Sequence, residues 1–202
     1  QPNVKKKKKT PLRMLLREMA WRIGRWNNNY LKKWISDFNP NLIVVVAGDN
    51  CFTLDLARRI SKKNNLPIVL YSTEEYPFKD YNFVTKRFSL FYNIWHTRLK
   101  RAYKRIEKYV SEGFFNTELL ADTYSNKYKY DCYHLYQYSD IDFIDNSAIK
   151  DNIVISYLGN LGVDRHKPLI EIANTLGEIN PTFRLDVYGK PSELVKEEFD
   201  KC

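Results

Sequence analysis

Short apolar runs that alternate with helix-spaced apolar residues constrain this chain most. Leu42–Ala47 is a continuous apolar run rich in β-branched residues, typical of a strand buried on both faces. Phe52, Leu56 and Ile60 then repeat at helical spacing, and Pro67–Tyr71 is the next strand-like run. Further strands are expected at Tyr109–Phe115, Asp131–Tyr136, Ile153–Leu158 and Phe183–Tyr188. This rhythm predicts an α/β fold, in which helices cover both faces of a parallel sheet.

A polar connector interrupts the alternation once. Residues 141–151 contain no long apolar run, so we predict a linker between two domains. The first domain, residues 36–140, holds several strand–helix units and is expected to be Rossmann-like. The second, residues 152–202, holds one strand–helix–strand unit, which is too little for a full doubly wound sheet. We therefore expect an incomplete second Rossmann-like unit.

The positive charge is concentrated at the beginning of the chain. The 202 residues carry a net charge of +9, yet residues 1–35 hold eleven basic residues against Glu18 alone. After Thr10 and Pro11, which suit a helix start, apolar residues fall on one helical face. That face comprises Leu12, Leu15, Leu16, Met19, Ile23 and Trp26. This head predicts either a surface helix packed on the core, with a solvated lysine tail, or a helix that contacts an anionic membrane leaflet.

A second basic helix is expected at about residues 87–107. Its apolar face would comprise Phe91, Ile94, Trp95, Leu99, Ala102 and Ile106, and its basic residues are Arg98, Lys100, Arg101, Lys104, Arg105 and Lys108.

The three cysteines are widely spaced, which predicts reduced thiols and neither a disulfide framework nor a zinc site. No apolar run approaches the length of a membrane span and no secretory signal is recognisable, so we expect a cytoplasmic protein.

Polar loops follow the predicted strands, where ligands bind in open parallel sheets. Gly48, Asp49 and Asn50 follow the first strand, and Asp49 suits either an acceptor substrate or the start of the next helix. Glu74 and Glu75 follow the second strand. Either of these carboxylates could act as a general base or bind sugar hydroxyls, or both could be solvated loop acids.

The loop after the first strand of the second domain is the most informative. Gly159 and Gly162 allow close backbone approach to a ligand. A helix start follows, and Arg165 and Lys167 add positive charge. These are the components of a phosphate or diphosphate site, although an ordinary strand–helix turn has the same pattern.

Several motifs in order resemble the two-domain (GT-B) glycosyltransferases of families 4 and 1. They are Trp34–Asp49, Asn64–Tyr71, Ile106–Tyr124, Ile155–Gly162 with Arg165 and Leu169, and Leu185–Gly189. The resemblance spans roughly residues 30–190. It implies a hexosyltransferase-like enzyme of envelope or surface polysaccharide synthesis, which transfers a sugar from a nucleotide-diphosphate donor to a glycan or lipid-linked acceptor.

The resemblance also assigns roles to individual residues. Donor diphosphate binding falls to Gly159, Asn160, Gly162, Arg165 and Lys167, with no required metal and no cofactor. The acceptor side falls to Gly48, Asp49 and Asn50, and catalysis to Glu74 and Glu75. Of the two alternatives for the basic head, contact with an anionic leaflet would attach the protein peripherally to the inner face of the cell membrane. No nucleic-acid partner is expected for a transferase of this kind.

The sequence departs from that family at several positions. The usual glycine–arginine pair is Gly159–Asn160 here, so Arg165 would replace the arginine. Thr73 and Glu74 stand where many members have a histidine. The strand that opens the family's N-terminal domain is not recognisable upstream of residue 30, and neither is the family's acidic donor-sugar motif. The resemblance therefore predicts that this sequence is an internal piece of a larger transferase and is inactive alone. The alternative function is a non-enzymatic module whose basic head binds nucleic acid or another anionic partner.

Overall fold

The computed structural model describes residues 10–24, 28–79, 89–136, 138, 140, 153–162 and 164–200. They form two compact units, one before residue 140 and one from residue 140 onward. The strands form two separate sheets, four-stranded in the first unit and two-stranded in the second. All strand pairs are parallel, and helices flank the four-stranded sheet. The predicted Rossmann-like α/β class is confirmed. The lysine run and the predicted linker at 141–151 lie outside the described residues.

The elements of the first unit follow the predicted rhythm closely. They are α1 (Pro11–Ile23), α2 (Asn29–Phe38), β1 (Ile43–Val46), α3 (Cys51–Asn64), β2 (Ile68–Ser72), α4 (Leu90–Ile106) with a short 3₁₀ turn (Glu107–Tyr109), β3 (Val110–Phe115), α5 (Glu118–Ser125) and β4 (Asp131–His134). The second unit comprises β5 (Val154–Leu158), α6 (His166–Ile179), β6 (Arg184–Tyr188) and α7 (Glu193–Phe199). The sequence analysis missed α7.

Side-chain caps explain where the helices begin. The Thr10 hydroxyl accepts a hydrogen bond from the Arg13 N–H at 3.4 Å, and Pro11 occupies the first turn of α1. Thr117 caps α5 in the same way, through the Leu120 N–H at 3.2 Å. These caps satisfy amides that have no partner within their helices. The predicted helix start at Thr10 and Pro11 is confirmed.

The strand order of the first sheet is β1-β2-β3-β4, so each new strand is added on the same side. Parallel crossovers are right-handed in nearly all proteins, and successive crossovers in one direction place their helices on one face of a sheet. The burial pattern agrees, since Val45, Leu70 and Phe115 are buried. α3 and α4 pack against each other, and α1 packs on both.

The opposite face is open at β1. Val44 and Val46 are 63% and 69% exposed, whereas Val45 between them is 3% exposed. The prediction that this strand is buried on both faces is wrong for the described residues. An apolar run shows that one face can be buried, but coverage of the second face depends on the direction in which strands are added.

Aromatic side chains fill the interior of the first unit. Phe115 and Tyr124 are fully buried with ring centroids 4.4 Å apart, and Phe78 meets Tyr124 edge-on at 4.9 Å. Tyr103 and Tyr128 lie against the same tyrosine. The Tyr124 hydroxyl donates to the backbone carbonyl of Glu74 at 3.1 Å. The aromatic core therefore anchors the loop that follows β2.

Two predicted helix faces need correction. In α1 the buried residues are Pro11, Leu15 and Glu18, whereas the other described members of the predicted apolar face are exposed: Leu12, Leu16, Met19 and Ile23. In α4 the predicted Trp95, Leu99, Ala102 and Ile106 are buried. Phe91 and Ile94 are exposed, and Tyr92, His96 and Tyr103 are buried instead. Long-range polar contacts of Glu18 turn α1 away from the orientation that its apolar residues favour.

A pair of valine substitutions tests the one-sided packing. Val45→Ala should lower the free energy of unfolding by about 2 kcal/mol, because it removes buried methyl groups and leaves a cavity. Val46→Ala, at an exposed position, should cost less than about 0.5 kcal/mol. Urea unfolding followed by circular dichroism measures both. Equal losses would mean that the outer face of β1 is packed.

Candidate functional site

The loops after β1 and β2 lie beside each other at the carboxyl edge of the first sheet. Burial raises the pKa of the Tyr76 phenol, and the carboxylates of Glu74 and Asp49 raise this pKa further. Asp49 follows β1, while Glu74 and Tyr76 follow β2, so residues from both loops share one electrostatic environment. This juxtaposition is the one expected from the parallel pairing of the two strands.

The two candidate catalytic carboxylates differ in their surroundings. The Glu74 carboxylate forms an ion pair with Lys79, and its backbone carbonyl accepts hydrogen bonds from the Ser72 and Tyr124 hydroxyls, each at 3.1 Å. Glu75 is exposed and forms no ion pair within the described part of the chain. Its backbone carbonyl accepts from the Phe78 N–H at 2.9 Å. The loop backbone is therefore fixed, and Glu75 is the carboxylate more open to a ligand.

The loop after β1 is held by α1. Arg17 donates to the Asp49 backbone carbonyl at 2.8 Å and pairs with its carboxylate at 3.4 Å. Asn50, rather than Asp49, caps α3 by accepting from the Thr53 N–H at 3.0 Å. The alternative interpretation of Asp49 as the helix cap is therefore wrong. Tyr103 donates from inside the core to the Gly48 carbonyl at 3.4 Å.

Glu18 of α1 is a polar contact that sequence reasoning missed. Its carboxylate is buried, accepts from the Cys51 N–H at 3.0 Å and pairs with Arg17 at 3.3 Å. A carboxylate at a helix N-terminus is favoured by the free amides and the helix dipole. The only sequence signal was that Glu18 is the single acid of the basic head, which does not show what it contacts.

In the second unit, the loop after β5 is fixed by its own polar groups. The Tyr157 hydroxyl donates to the Asn160 backbone carbonyl at 3.1 Å, and the Gly162 N–H donates to the Asn160 side chain at 2.8 Å. The Gly159 N–H donates to the Tyr188 carbonyl at 3.0 Å. Leu161 is buried below the loop. The Gly162 amide, a predicted phosphate donor, thus already has an internal acceptor.

The glycines of this unit meet at the carboxyl edge of its sheet. A Cβ placed on Gly189 would collide with the Gly159 carbonyl oxygen. Gly159 follows β5 and Gly189 follows β6, so the two strand-end loops are in direct contact. Glycine is needed at position 189 because a side chain would force the loops apart.

The start of α6 presents the predicted basic residues. Arg165 is the exposed N-cap residue, and its backbone N–H donates to the Gly162 carbonyl at 3.4 Å. Its guanidinium has no ion-pair partner among residues 153–162 and 164–200. Lys167 is also exposed, with its ammonium nitrogen 4.0 Å from the Asp164 carboxylate. Both cations are accessible to an anion from solvent.

His166 contacts the loop after β5 from the start of α6. Its ring is buried, with Nδ1 3.4 Å from the Leu161 carbonyl and Nε2 2.8 Å from the Glu198 carboxylate. It thus links the loop after β5 to α7. Sequence spacing could not reveal this pair, because the two residues are distant in the chain and α7 was not predicted.

Other kinds of site find little support in the described residues. No helix there is both long and apolar enough to cross a membrane. No group of three or more histidine, cysteine or acidic side chains converges there as metal ligands would. Burial raises the pKa of the Cys51 thiol to about 12, which disfavours the nucleophilic thiolate.

Comparisons with known proteins give no family assignment. No protein-family model matches the chain, and no curated protein shows significant similarity to it. The resemblance of its motifs to a transferase family therefore stays a prediction.

Two glycine substitutions test the contact between the strand-end loops. Gly189→Ala should lower the free energy of unfolding by about 1–3 kcal/mol, because the new methyl group displaces backbone. Gly177→Ala is the control, since no atom lies within 4 Å of the new Cβ and the exposed site is helical. It should stabilise the protein by up to about 1 kcal/mol. Thermal unfolding of both variants gives the comparison, and a neutral Gly189→Ala would contradict the close contact.

Proposed function

We propose that the chain is the sugar-transfer part of a two-domain glycosyltransferase. The observation that carries this proposal is the loop after β5, where contacting glycine loops and two exposed cations meet the start of a 14-residue helix. The presence of two separate parallel α/β units supports it, as does the order of the motifs along the chain. The donor is proposed to be a nucleotide-diphosphate sugar.

The proposed role of the second unit is to stabilise the leaving diphosphate. As the glycosidic bond breaks, negative charge grows on the diphosphate oxygens. Arg165 and Lys167 would neutralise this charge, and the positive end of the α6 dipole would contribute. Arginine can also donate two parallel hydrogen bonds to a phosphate. The internally bonded loop of Gly159, Asn160 and Gly162 would hold these groups in place without a required metal ion.

The proposed role of the first unit is to bind the acceptor hydroxyl. The loops after β1 and β2 bring Asp49, Glu74 and Glu75 to one sheet edge. Glu75 is our preferred general base, because Lys79 already engages Glu74. A glycan or lipid-linked acceptor of envelope or surface polysaccharide synthesis fits this assignment.

Arg165→Ala tests the donor site. Calorimetric titration with UDP- and GDP-sugars should show binding to the unmodified chain, weakened by about tenfold or more in the variant through loss of a charge-assisted hydrogen bond. Arg184→Ala removes the same charge at the opposite end of the second sheet, where Arg184 pairs with Asp186 at 2.9 Å. This control should bind like the unmodified chain. Absence of binding to every nucleotide sugar, or equal losses in both variants, would count against the proposal.

We also propose that α1 attaches this enzyme to the inner face of an anionic membrane. Leu12, Leu16, Met19 and Ile23 are about half to three-quarters exposed, between 46% and 76%. The same helix carries Arg13, Arg17 and Arg22. An apolar face bordered by cations binds anionic bilayers through both burial and charge attraction, at roughly 1 kcal/mol per basic residue near the surface.

Leu16→Glu tests the attachment. Co-sedimentation with vesicles that contain phosphatidylglycerol should fall several-fold, because a carboxylate replaces an inserting side chain. Leu119→Glu, on the 73% exposed Leu119 of α5, is the matched control and should leave binding unchanged. Equal sedimentation of all three proteins, or sedimentation with uncharged vesicles alone, would contradict the proposed attachment.

A further inference from the structure

A cavity of about 500 Å³ lies where α1, α3 and α4 meet in the first unit. The described residues that line it all belong to the helices of the first unit. Six arginines line it, supplied by all three helices: Arg22 from α1, Arg58 and Arg59 from α3, and Arg98, Arg101 and Arg105 from α4. We call these six residues the arginine cluster.

The composition of the arginine cluster is unusual for this chain. The sequence contains 12 arginines and 21 lysines, yet every basic residue among the described residues that line the cavity is an arginine. Half of all arginines are thus collected at one place. Arginine offers a planar fork of donors that matches phosphate oxygens, whereas lysine acts as a strongly hydrated point charge. Solubility alone would not require arginine rather than lysine at these positions.

Internal carboxylates neutralise only part of this charge. Among the described residues that line the cavity, Glu18 and Asp55 are the acids, which leaves this set with four net positive charges. Glu18 is engaged by the Cys51 N–H and Arg17, and Asp55 pairs with Arg105 at 3.1 Å. The Cys51 thiol adds no negative charge at neutral pH, since burial raises its pKa to about 12.

Several guanidinium groups remain available. Arg22, Arg98 and Arg101 form no ion pair within the part of the chain that the structure describes. The Nε of Arg58 is buried and has no hydrogen-bond acceptor among the described residues; the Asp55 carboxylate oxygen with which it pairs is 3.8 Å away. Like charges held together repel, and a buried donor without an acceptor is unfavourable. An anion with several oxygens would relieve both costs.

The walls of the cavity are fixed before any ligand binds. Trp21 of α1 stacks on Phe52 of α3 with ring centroids 4.3 Å apart. Arg17 and Glu18 connect α1 to Asp49 and Cys51 at the start of α3. Arg105 of α4 pairs with Asp55 of α3. These contacts join all three helices, so the arginine cluster is organised by the fold.

We propose that the arginine cluster binds a compact group that carries two or more phosphates, such as a diphosphate ester. The cavity volume leaves room for the group to which the phosphates are attached. A concave site suits a compact anion better than a nucleic-acid backbone, which is usually bound along an extended basic stripe. The inference does not depend on the proposed sugar transfer.

The test is calorimetric titration of the full chain with inorganic diphosphate and tripolyphosphate, with Arg165→Ala present in every protein compared so that the proposed donor site of the second unit does not contribute. The protein with the intact arginine cluster should bind both, and tripolyphosphate more tightly. Arg98→Gln combined with Arg101→Gln should weaken binding by at least about tenfold, because two charge-assisted contacts are lost. Lys100→Gln combined with Lys104→Gln removes the same charge from α4 outside the cavity and should change affinity less than about twofold. Circular dichroism of each variant checks that it is folded.

A third double variant keeps the charge. Arg98→Lys combined with Arg101→Lys should also weaken diphosphate binding, because lysine lacks the bidentate fork. It provides a result even if the glutamine variant does not fold. Failure of the protein with the intact arginine cluster to bind either anion would overturn the proposal. Equal losses in the cavity and control variants, or full affinity in the lysine variant, would also overturn it.

A second experiment tests whether the bound phosphates belong to a soluble compound or to a lipid headgroup. Vesicles of phosphatidylcholine with cardiolipin, which carries two phosphates, are compared with phosphatidylcholine alone. A lipid source predicts that vesicle binding falls in the arginine variants and that tripolyphosphate competes with it. A free source predicts cavity-dependent tripolyphosphate binding and vesicle binding that does not depend on the arginines. If RNA binds but neither small anion does, the cavity is not a phosphate-group site.

Discussion

The addition of successive parallel strands in one direction determines most of what this molecule presents to its surroundings. It places the connecting helices together on one side of the first sheet and leaves the outer side chains of β1 exposed. It also brings the carboxyl ends of β1 and β2 to one edge, where acidic residues of both loops share an environment. Two of these connecting helices, α3 and α4, pack with the preceding α1 around a cavity of about 500 Å³.

The two candidate anion sites rely on different physical chemistry. The loop after β5 combines a helix start and two exposed cations with a backbone fixed by Tyr157, Asn160 and His166. The arginine cluster relies on side chains alone. A helix terminus adds fixed backbone dipoles to the side-chain charges, and salt screens both contributions. The chain thus has one proposed phosphate site in each compact unit.

The sequence predicts local structure well because local structure is determined by nearby residues. Thr10, Pro11 and Thr117 mark helix starts through contacts three residues away or fewer, and the apolar runs locate each strand. Helix orientation was predicted poorly. The buried side of α1 is determined partly by Glu18, whose partner Cys51 is 33 residues away. A hydrophobic pattern carries no information about such a contact. The same reason hid the pairing of His166 with Glu198 and the convergence of arginines from three helices.

In the candidate sites too, some features could be predicted from the sequence and others could not. The loops at strand ends could be identified, because a parallel sheet fixes where its carboxyl ends lie. The internal hydrogen bond of the Gly162 amide could not be identified from the sequence. The capping role of Asn50 could not be identified either, since the neighbouring Asp49 side chain is equally able to accept from a helix amide. Motif order suggested a transferase, but only geometry showed which donors are already occupied.

The tyrosine-rich interior sets an alkaline limit on the first unit. Burial raises the pKa of Tyr124 to about 12, and the pKa of neighbouring Tyr103 is raised as well. A phenol with a higher pKa in the folded chain than in the unfolded chain stabilises the fold fully only below its unfolded value, near 10. That contribution is lost as the pH rises through the folded pKa. Strongly alkaline pH thus destabilises the aromatic core of the first unit. The loop after β2, which Tyr124 anchors, would lose its attachment at the same time.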